Sequence, residues 1–145
     1  MPTYVCTATA GRLTPAQKAE IARSITDIHH EEARAARYFV LVFFQDVAPG
    51  SCYLGNQPGP ADQIWIRGDI RAGRTTAQKE RMLHRMMQDV SRVTGAPEDA
   101  VWVYLSDLPA ENLTEYGRIL PLPGQEEAWF SSLSEDLQER LKALA

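Results

Sequence analysis

The sequence has few of the residues that build metal centres and disulfide frameworks. Its 145 residues include two cysteines, Cys6 and Cys52, and three histidines. Two cysteines in a chain of this size are most simply free thiols. Neither cysteine pairs with a histidine at a metal-ligand spacing, which argues against a zinc site. We therefore expect no metal and no other cofactor.

Excess charge and long apolar runs are also missing. The formal net charge is −4, which does not suggest a nucleic-acid partner. No apolar run reaches the roughly 20 residues that a membrane-spanning helix needs. The segment after Met1 lacks the charged and then apolar pattern of a signal peptide. We expect a cytoplasmic protein with neither a membrane nor a nucleic-acid partner.

The residues that are present fit one globular domain. Hydrophobic residues make up 44% of the chain and charged residues 23%, which is typical of soluble proteins. A chain of this length can bury a core without disulfides or metal ions. We therefore expect a single domain over residues 1–145.

The chain repeats itself once. The segment TPAQKAEIARSITDI begins at Thr14, and TTAQKERMLHRMMQDV begins at Thr75, 61 positions later. The strand-like segments YFVLVFFQDV and DAVWVYLSDL keep the same offset, which aligns Asp46 with Asp107. An offset preserved without insertion indicates two fused β-α-β units. We place the units at about residues 2–61 and 63–122, and a C-terminal tail at 123–145.

Each unit has the pattern of a strand, a turn, a helix and a second strand. Thr14 and Thr75 are typical helix N-caps. Apolar residues follow each of them at helical spacing, and Gly95 with Pro97 ends the second helix. Two right-handed units predict a mixed α/β (α+β) fold, a four-stranded sheet with two helices on one face. The other sheet face is apolar and has to be buried, so we expect an oligomer.

Two segments lie outside this pattern. The segment APGSCYLGNQPGPAD is rich in glycine and proline, and it predicts a loop that borders a surface or a pocket. The C-terminal tail has no counterpart in the first unit. It predicts a short helix from about Ser134, and we expect it to wrap a neighbouring subunit.

Pro2 is the first candidate for chemistry. Proline is tolerated as the first residue of a strand, so the position alone indicates only where a strand starts. If Met1 is removed, however, Pro2 carries a secondary amine that can act as an acid, a base or a nucleophile. The rest of the chain decides between these two interpretations.

Two arginines and a histidine are candidates for holding an anion. Arg71 and Arg74 follow the first strand of the second unit, where open α/β sheets place ligands. Their guanidinium groups could converge on one carboxylate. The spacing of His29 from Ile25 places it at the inward edge of the first helix. The plain alternatives are two solvated arginines in a turn and a hydrogen-bonded histidine at the core edge.

Tyr104 and Glu115 are candidates for activating a water molecule. Tyr104 lies in a predicted buried strand, where a core role is the alternative. Glu115 lies in the irregular segment LTEYGRIL, where a solvated acid is the alternative, although functional residues favour such loops. A tyrosine and a glutamate close to an amine can hold and deprotonate a water.

Together these residues resemble the tautomerase superfamily, whose members begin with a catalytic amino-terminal proline on a β-α-β fold. Within it the sequence is most similar to the cis-3-chloroacrylic acid dehalogenase-like subgroup. The residues that match the motif of that subgroup are Pro2, His29, Arg71, Arg74, Tyr104 and Glu115 of EYGR. The segments PTY, ITDIHHE, GRT, VWVY and PGQEEAWF are also similar. The resemblance covers nearly the whole chain and implies a homotrimer, a small carboxylate substrate and removal of Met1.

The resemblance leaves two reactions open, and in both the two arginines and His29 hold the substrate carboxylate. In the first, a protonated Pro2 donates a proton to an alkene carbon. Water activated by Glu115 and Tyr104 adds to the other carbon, so that a 3-haloacrylate-like acid yields malonate semialdehyde. In the second, a neutral Pro2 is the general base of a keto-enol tautomerase on a phenylpyruvate-like 2-oxo acid enol, with little dehalogenation. Glu115 and Tyr104 favour the first reaction, and a non-enzymatic trimeric binding protein is the third hypothesis.

Overall fold

The computed structural model describes residues 2–145. Met1, whose removal the resemblance implies, lies outside the described residues. The strands and α-helices of the described part are, in order, β1 (Thr3–Thr9), α1 (Pro15–Ala33), β2 (Leu41–Val47), β3 (Tyr53–Leu54), β4 (Gln57–Pro58), β5 (Ile64–Arg71), α2 (Thr76–Thr94), β6 (Val101–Leu108), β7 (Thr114–Glu115), β8 (Arg118–Ile119), α3 (Glu126–Ser131) and α4 (Glu135–Lys142). Short 3-10 helices lie at Arg37–Phe39, Glu98–Ala100 and Ala110–Asn112.

The four long strands form one sheet in the order β2-β1-β5-β6. β1 is parallel to β2 and β5 is parallel to β6, while the two central strands, β1 and β5, are antiparallel. α1 and α2 pack against each other over one face of this sheet. The predicted four-stranded sheet with two helices on one face is confirmed. β3 with β4 and β7 with β8 form two small hairpins.

The sequence repeat reappears in the helix ends. α1 and α2 have 19 residues each and begin at the offset seen in the sequence. The hydroxyls of Thr14 and Thr75 accept hydrogen bonds at 3.2 Å from the backbone N–H groups of Gln17 and Gln78, which completes the same capping box in both helices. Gly95 ends α2 with a φ of 72°, in the left-handed region that favours glycine. The predicted helix starts and the predicted end of α2 are therefore confirmed.

The main core lies between the helices and the sheet. Its larger members are Tyr4, Cys6, Ile21, Ile25, Ile28, Ile64, Ile66, Ile70, Met82, Met86 and Val90. Ile25 and Met86, which the repeat aligns, are both fully buried. Alternate residues of β1 are buried, because successive side chains of a strand point to opposite faces. Tyr4 therefore points from the centre of the sheet toward the helices.

The opposite face of the sheet is open in the single chain. It exposes 53% of Phe43, 38% of Trp102 and 50% of Tyr104. The strands predicted as buried are thus buried on one side only, and Tyr104 lies on the open side. Apolar side chains gathered in this way on a surface mark an interaction site.

The C-terminal tail builds a second core with its own chain. The members of this cluster are Phe39, Ala110, Leu120, Trp129, Leu133 and Leu141. The indole N–H of Trp129 donates to the Ile119 carbonyl at 2.9 Å. α4 begins after its N-cap Ser134, near the predicted start, whereas α3 was not predicted. Trp129, Leu133 and Leu141 of the tail are thus packed within the chain, and the contact of the tail with a neighbouring subunit stays a prediction. No helix within residues 2–145 is long and apolar enough to cross a membrane.

Candidate active site

Pro2 is buried at the start of a central strand. Its carbonyl accepts a hydrogen bond from the backbone N–H of Leu41 at 3.1 Å, which fixes the beginning of β1 against the beginning of β2. A proline can occupy this position because it lacks only the backbone N–H, and its backbone carbonyl is still available to accept the hydrogen bond. Pro2 is therefore held at one end of the sheet rather than left in solvent.

Arg71 and Arg74 lie next to each other at the end of β5 and before α2. Arg71 ends β5, and Arg74 precedes the N-cap of α2. Gly73 between them has a φ of 114°, a conformation that favours glycine. Arg74 Nη1 donates to the Arg71 carbonyl at 3.0 Å, and both side chains line one cavity of about 440 Å³. The interpretation of two solvated arginines in a turn is wrong for Arg71, which is 3% exposed.

The C-terminal tail contributes an acidic residue that the sequence did not single out. Arg71 Nη2 donates to Glu126 Oε1 at 2.5 Å, and Arg71 Nη1 donates to the Pro121 carbonyl at 2.6 Å. Glu126 Oε2 accepts from the backbone N–H of Gly124 at 2.8 Å. Burial raises the pKa of Glu126, but the hydrogen bond from Arg71 and the backbone donors outweigh it, so the net pKa is lowered. Glu126 is therefore a carboxylate that pairs with Arg71 inside the cavity.

His29 is fully buried near the end of α1. Its Nδ1 lies 2.8 Å from the hydroxyl oxygen of Tyr4. Burial lowers the pKa of His29 to about 3, and the positive charges of Arg74 and Arg71 add to this effect. The imidazole is therefore neutral at physiological pH, and it lies further inside than the core edge predicted from its helical spacing.

His29, Arg71 and Arg74 share one property. The Nε atoms of Arg71 and Arg74 and the Nε2 atom of His29 are buried and have no hydrogen-bond partner within residues 2–145. The Nε atom of an arginine always carries a proton and is always a donor. The Nε2 atom of a neutral histidine is a donor only in the tautomer that carries the ring proton there. Buried donors in native proteins are nearly always paired. The arrangement therefore suits an anion that accepts hydrogen bonds.

Glu115 lies on the β7–β8 hairpin. The turn of this hairpin is formed by Tyr116 and Gly117, which have φ values of 53° and 75°, as a tight two-residue hairpin turn requires. Glu115 is half-buried and lines a second cavity, of about 710 Å³. Tyr38 and Phe39 line both this cavity and the cavity of the two arginines. Glu115 therefore faces a space that adjoins the arginine cavity across two aromatic rings.

Tyr104 is not brought to these residues within one chain. It lies on the open face of the sheet, where its ring meets the ring of Trp65 edge-on at 5.8 Å. There it lines a cavity of about 330 Å³ with Cys52, Tyr53 and Trp102. The loop predicted to border a pocket thus borders this cavity. Within residues 2–145 no group of three histidine, cysteine or acidic side chains is placed to hold a metal ion.

The chain is similar in sequence and fold to known proteins. The chain matches the family Tautomerase_3, described as "Putative oxalocrotonate tautomerase enzyme", over residues 1–133. The crystal structure of N1, a member of the cis-3-chloroacrylic acid dehalogenase (cis-CaaD) family, is 40% identical with a TM-score of 0.94, covering 97% of this chain and 99% of that one. Native Ps01740 is 36% identical with a TM-score of 0.74, covering 78% and 99%. RhCC from Rhodococcus jostii RHA1 is 18% identical with a TM-score of 0.73, covering 98% and 96%, and it shares the fold. No curated protein sequence matches the chain.

The tandem β-α-β fold and the match over most of the chain define an enzyme of the tautomerase superfamily. The chain belongs to this superfamily and, within it, to the cis-3-chloroacrylic acid dehalogenase-like subgroup.

Proposed function

We propose that the chain is an amino-terminal-proline enzyme that hydrates a small unsaturated monocarboxylate of the 3-haloacrylate type. The observation that carries the proposal is the group of buried, unpaired nitrogen atoms on His29, Arg71 and Arg74. A carboxylate is the simplest ligand that satisfies planar guanidinium forks and a ring N–H together. The same donors stabilise the additional charge that develops on the carboxylate oxygens when a nucleophile adds to the conjugated double bond.

Pro2 supplies the proton once Met1 is removed. Its protonated amine donates a proton to the α-carbon of the substrate, while a water oxygen bonds to the β-carbon and Glu115 takes the proton of that water. The halohydrin formed in this way expels halide and a proton to give malonate semialdehyde. Tyr104 orients the attacking water. The cavity of Glu115 adjoins the arginine cavity, which supports this division of roles.

We also propose a homotrimer in which Tyr104 reaches the cavity of a neighbouring copy. The open sheet face supports this, because it exposes Phe43 and Trp102 and carries buried polar atoms of Thr7 and Trp65 without partners in residues 2–145. The fused 4-OT asymmetric and symmetric trimers share the fold. Mixing inactive Arg71→Ala and Tyr104→Phe chains under conditions that exchange subunits is expected to restore activity. Restored activity requires that one chain supplies the arginine and another the tyrosine, and mixtures that stay inactive contradict the shared site.

The experiment that tests the reaction follows cis-3-chloroacrylate by proton NMR. The amino terminus of the protein is first checked by mass, and Pro2→Ala and Glu115→Gln serve as matched variants. We expect malonate semialdehyde from the unaltered protein and loss of activity of about 100-fold or more in both variants, as removal of a general acid or base generally gives. A Pro2→Ala protein with full activity contradicts the mechanism.

A second candidate is the keto-enol tautomerase, with Pro2 as general base on a phenylpyruvate-like enol. It is favoured by one observation: in the single chain, Tyr104 and Glu115 line cavities other than that of the arginines. Tautomerisation needs only the proline and the carboxylate donors. A correctly trimmed protein that leaves cis-3-chloroacrylate unchanged but ketonises the enol of phenylpyruvate supports this second reaction.

A further inference from the structure

Tyr4 is a buried residue that the proposed reaction does not use. It lies in the central strand β1, it is fully buried, and its hydroxyl meets His29 Nδ1 at 2.8 Å. Burial raises the pKa of Tyr4 above its usual value, so the hydroxyl keeps its proton. A tyrosine at this depth requires a partner for its hydroxyl, and within residues 2–145 His29 is that partner.

The sheet is shaped around the ring of Tyr4. Gly68 of β5 stands directly opposite Tyr4 in the antiparallel register. A Cβ at Gly68 would lie 2.4 Å from Cε1 of the Tyr4 ring, closer than real contacts allow. Glycine weakens the interior of a strand and marks a place of close approach. The absence of a side chain at Gly68 therefore leaves space for the Tyr4 ring. The position of the ring in this space fixes the direction of the hydroxyl.

The donor and acceptor strengths of the two groups decide which way this contact runs. If Tyr4 donates to Nδ1, Nε2–H and a lone pair of the phenol oxygen are left unpaired, and if Nδ1–H donates to Tyr4, the tyrosine O–H and the Nε2 lone pair are left unpaired. The number of unpaired groups is the same in both arrangements. A phenol O–H is a stronger donor than a neutral imidazole N–H, and an imidazole nitrogen is a stronger acceptor than a phenol oxygen. The arrangement in which Tyr4 donates to Nδ1 therefore has the stronger hydrogen bond and the lower free energy.

We propose that Tyr4 is a positioning residue that holds His29 in its neutral Nε2–H tautomer and so presents a third N–H donor beside the Arg71 and Arg74 guanidinium groups. The part of this inference that concerns substrate rests on the proposed function. The part that concerns the tautomer does not. A ring proton on Nε2 matches a carboxylate oxygen, whereas a lone pair there would repel it.

The tautomer can be measured directly by two-dimensional ¹H–¹⁵N NMR of the imidazole rings at pH 7.5, with His29 assigned from the spectrum of His29→Gln. We expect the pattern of a neutral ring protonated on Nε2. His30 is an internal reference, because its Nδ1 lies 2.7 Å from the Ala35 carbonyl and must donate to it. The proposal is supported if His29 carries its proton on Nε2 and His30 carries its proton on Nδ1. An Nδ1–H pattern for His29 in the unaltered protein overturns the proposal without any variant.

The variant Tyr4→Phe tests whether the Tyr4 hydroxyl determines the tautomer of His29. It keeps the ring against Gly68 and removes only the hydroxyl, and Tyr53→Phe, whose ring is exposed, is the matched control. We expect Tyr4→Phe to shift His29 toward a mixture of tautomers and Tyr53→Phe to leave it unchanged. Unaltered His29 signals in Tyr4→Phe overturn the positioning role.

The binding of acrylate, measured by calorimetry, tests whether the Nε2 proton of His29 contributes to carboxylate binding. Acrylate is expected to bind Tyr4→Phe more weakly than the unaltered protein, by about twofold or more, because the apparent affinity falls with the fraction of molecules that carry the Nε2 proton. Equal affinity in the two proteins overturns the donor role of Nε2. If the unaltered protein shows the Nε2–H tautomer but binds no carboxylate, the proposed function fails while the tautomer assignment stands.

Discussion

The guanidinium of Arg71 and the carboxylate of Glu126 form an ion pair inside the candidate site, with an N–O distance of 2.5 Å. The Arg71 side chain is 3% exposed and that of Glu126 is 39% exposed. Two positive guanidinium groups face the cavity, and one of them is already matched by a carboxylate of the same chain. The cavity therefore carries about one uncompensated positive charge from this group, which fits a single anionic substrate group.

Glu126→Gln removes that internal carboxylate. We expect acrylate to bind several times more tightly, because the field of Arg71 is no longer offset. We also expect a loss of unfolding free energy of about 1–3 kcal/mol, since a buried arginine loses its charged partner. Calorimetry and urea unfolding measure the two effects. Glu127→Gln is the control, because Glu127 is the exposed neighbour of Glu126. Weaker binding in Glu126→Gln would show that orienting Arg71 outweighs competing with the ligand.

Arg74→Lys separates charge from geometry. Arg74 is half-buried, and burial together with the charge of Arg71 lowers its pKa. Lysine keeps a positive charge but loses the planar fork. We expect KM for the substrate to rise about tenfold or more, in line with one bidentate charged contact. Arg92→Lys, on an exposed helix position, is expected to leave KM unchanged. A normal KM in Arg74→Lys would exclude bidentate binding by Arg74.

The buried histidine predicts a pH dependence of stability. The pKa of His29 is about 3 in the folded chain and near 6.5 when unfolded. Between these values the unfolded chain binds a proton that the folded chain excludes. The unfolding free energy therefore falls as the pH is lowered below about 6.5, with a slope approaching ~1.4 kcal/mol per pH unit, and the contribution of His29 is complete above that pH.

This dependence is measured by urea unfolding between pH 6.5 and 5, above the range where carboxylates titrate. Within residues 2–145, the ionisable groups that face or act on the ring are Tyr4, Arg74 and Arg71. His29→Gln is expected to show a flatter profile over this range. A profile of His29→Gln identical to that of the unaltered protein would mean that the folded chain accepts the proton.

Gly68→Ala tests the packing of the Tyr4 ring. The added methyl would approach the Tyr4 ring at 2.4 Å and a Leu105 methyl at 2.9 Å, so we expect a loss of about 1–3 kcal/mol of unfolding free energy. The same substitution in a Tyr4→Leu background should cost less, because the ring is gone. A double-mutant cycle by chemical denaturation gives this coupling, and additive effects would indicate that another contact is responsible.

Phe43→Glu tests the open sheet face. Phe43 is 53% exposed in the single chain, so the substitution leaves the core of one chain unaltered. We expect it to shift the assembly toward monomers in light-scattering measurements, because a charge is placed in an apolar interface. Leu144→Glu makes a similar change at a residue 61% exposed near the C-terminus and should leave the assembly intact. An unchanged mass for Phe43→Glu would place the interface elsewhere.

The elements that sequence analysis predicted depend on local signals. Thr14 and Thr75 stand at fixed distances from the residues they cap, and helical spacing marked Ile25 and Met86 as core. The contacts it missed join distant parts of the chain. Tyr4 and His29 are 25 positions apart, and Arg71 and Glu126 are 55 apart. No periodicity in the sequence predicts such long-range contacts, because they form only after the sheet, the helix and the tail have packed.

The two repeated halves do not contribute the same chemistry. Positions that the offset makes equivalent to Pro2, His29, Arg71 and Arg74 are occupied by Gln63, Val90, Ala10 and Leu13. Val90 and Leu13 are buried in the core, so the place where a second set of polar groups would stand has become part of the hydrophobic interior. The pseudo-symmetry of the backbone is thus not shared by its functional groups, and saturation with a carboxylate ligand should require one molecule per chain rather than two.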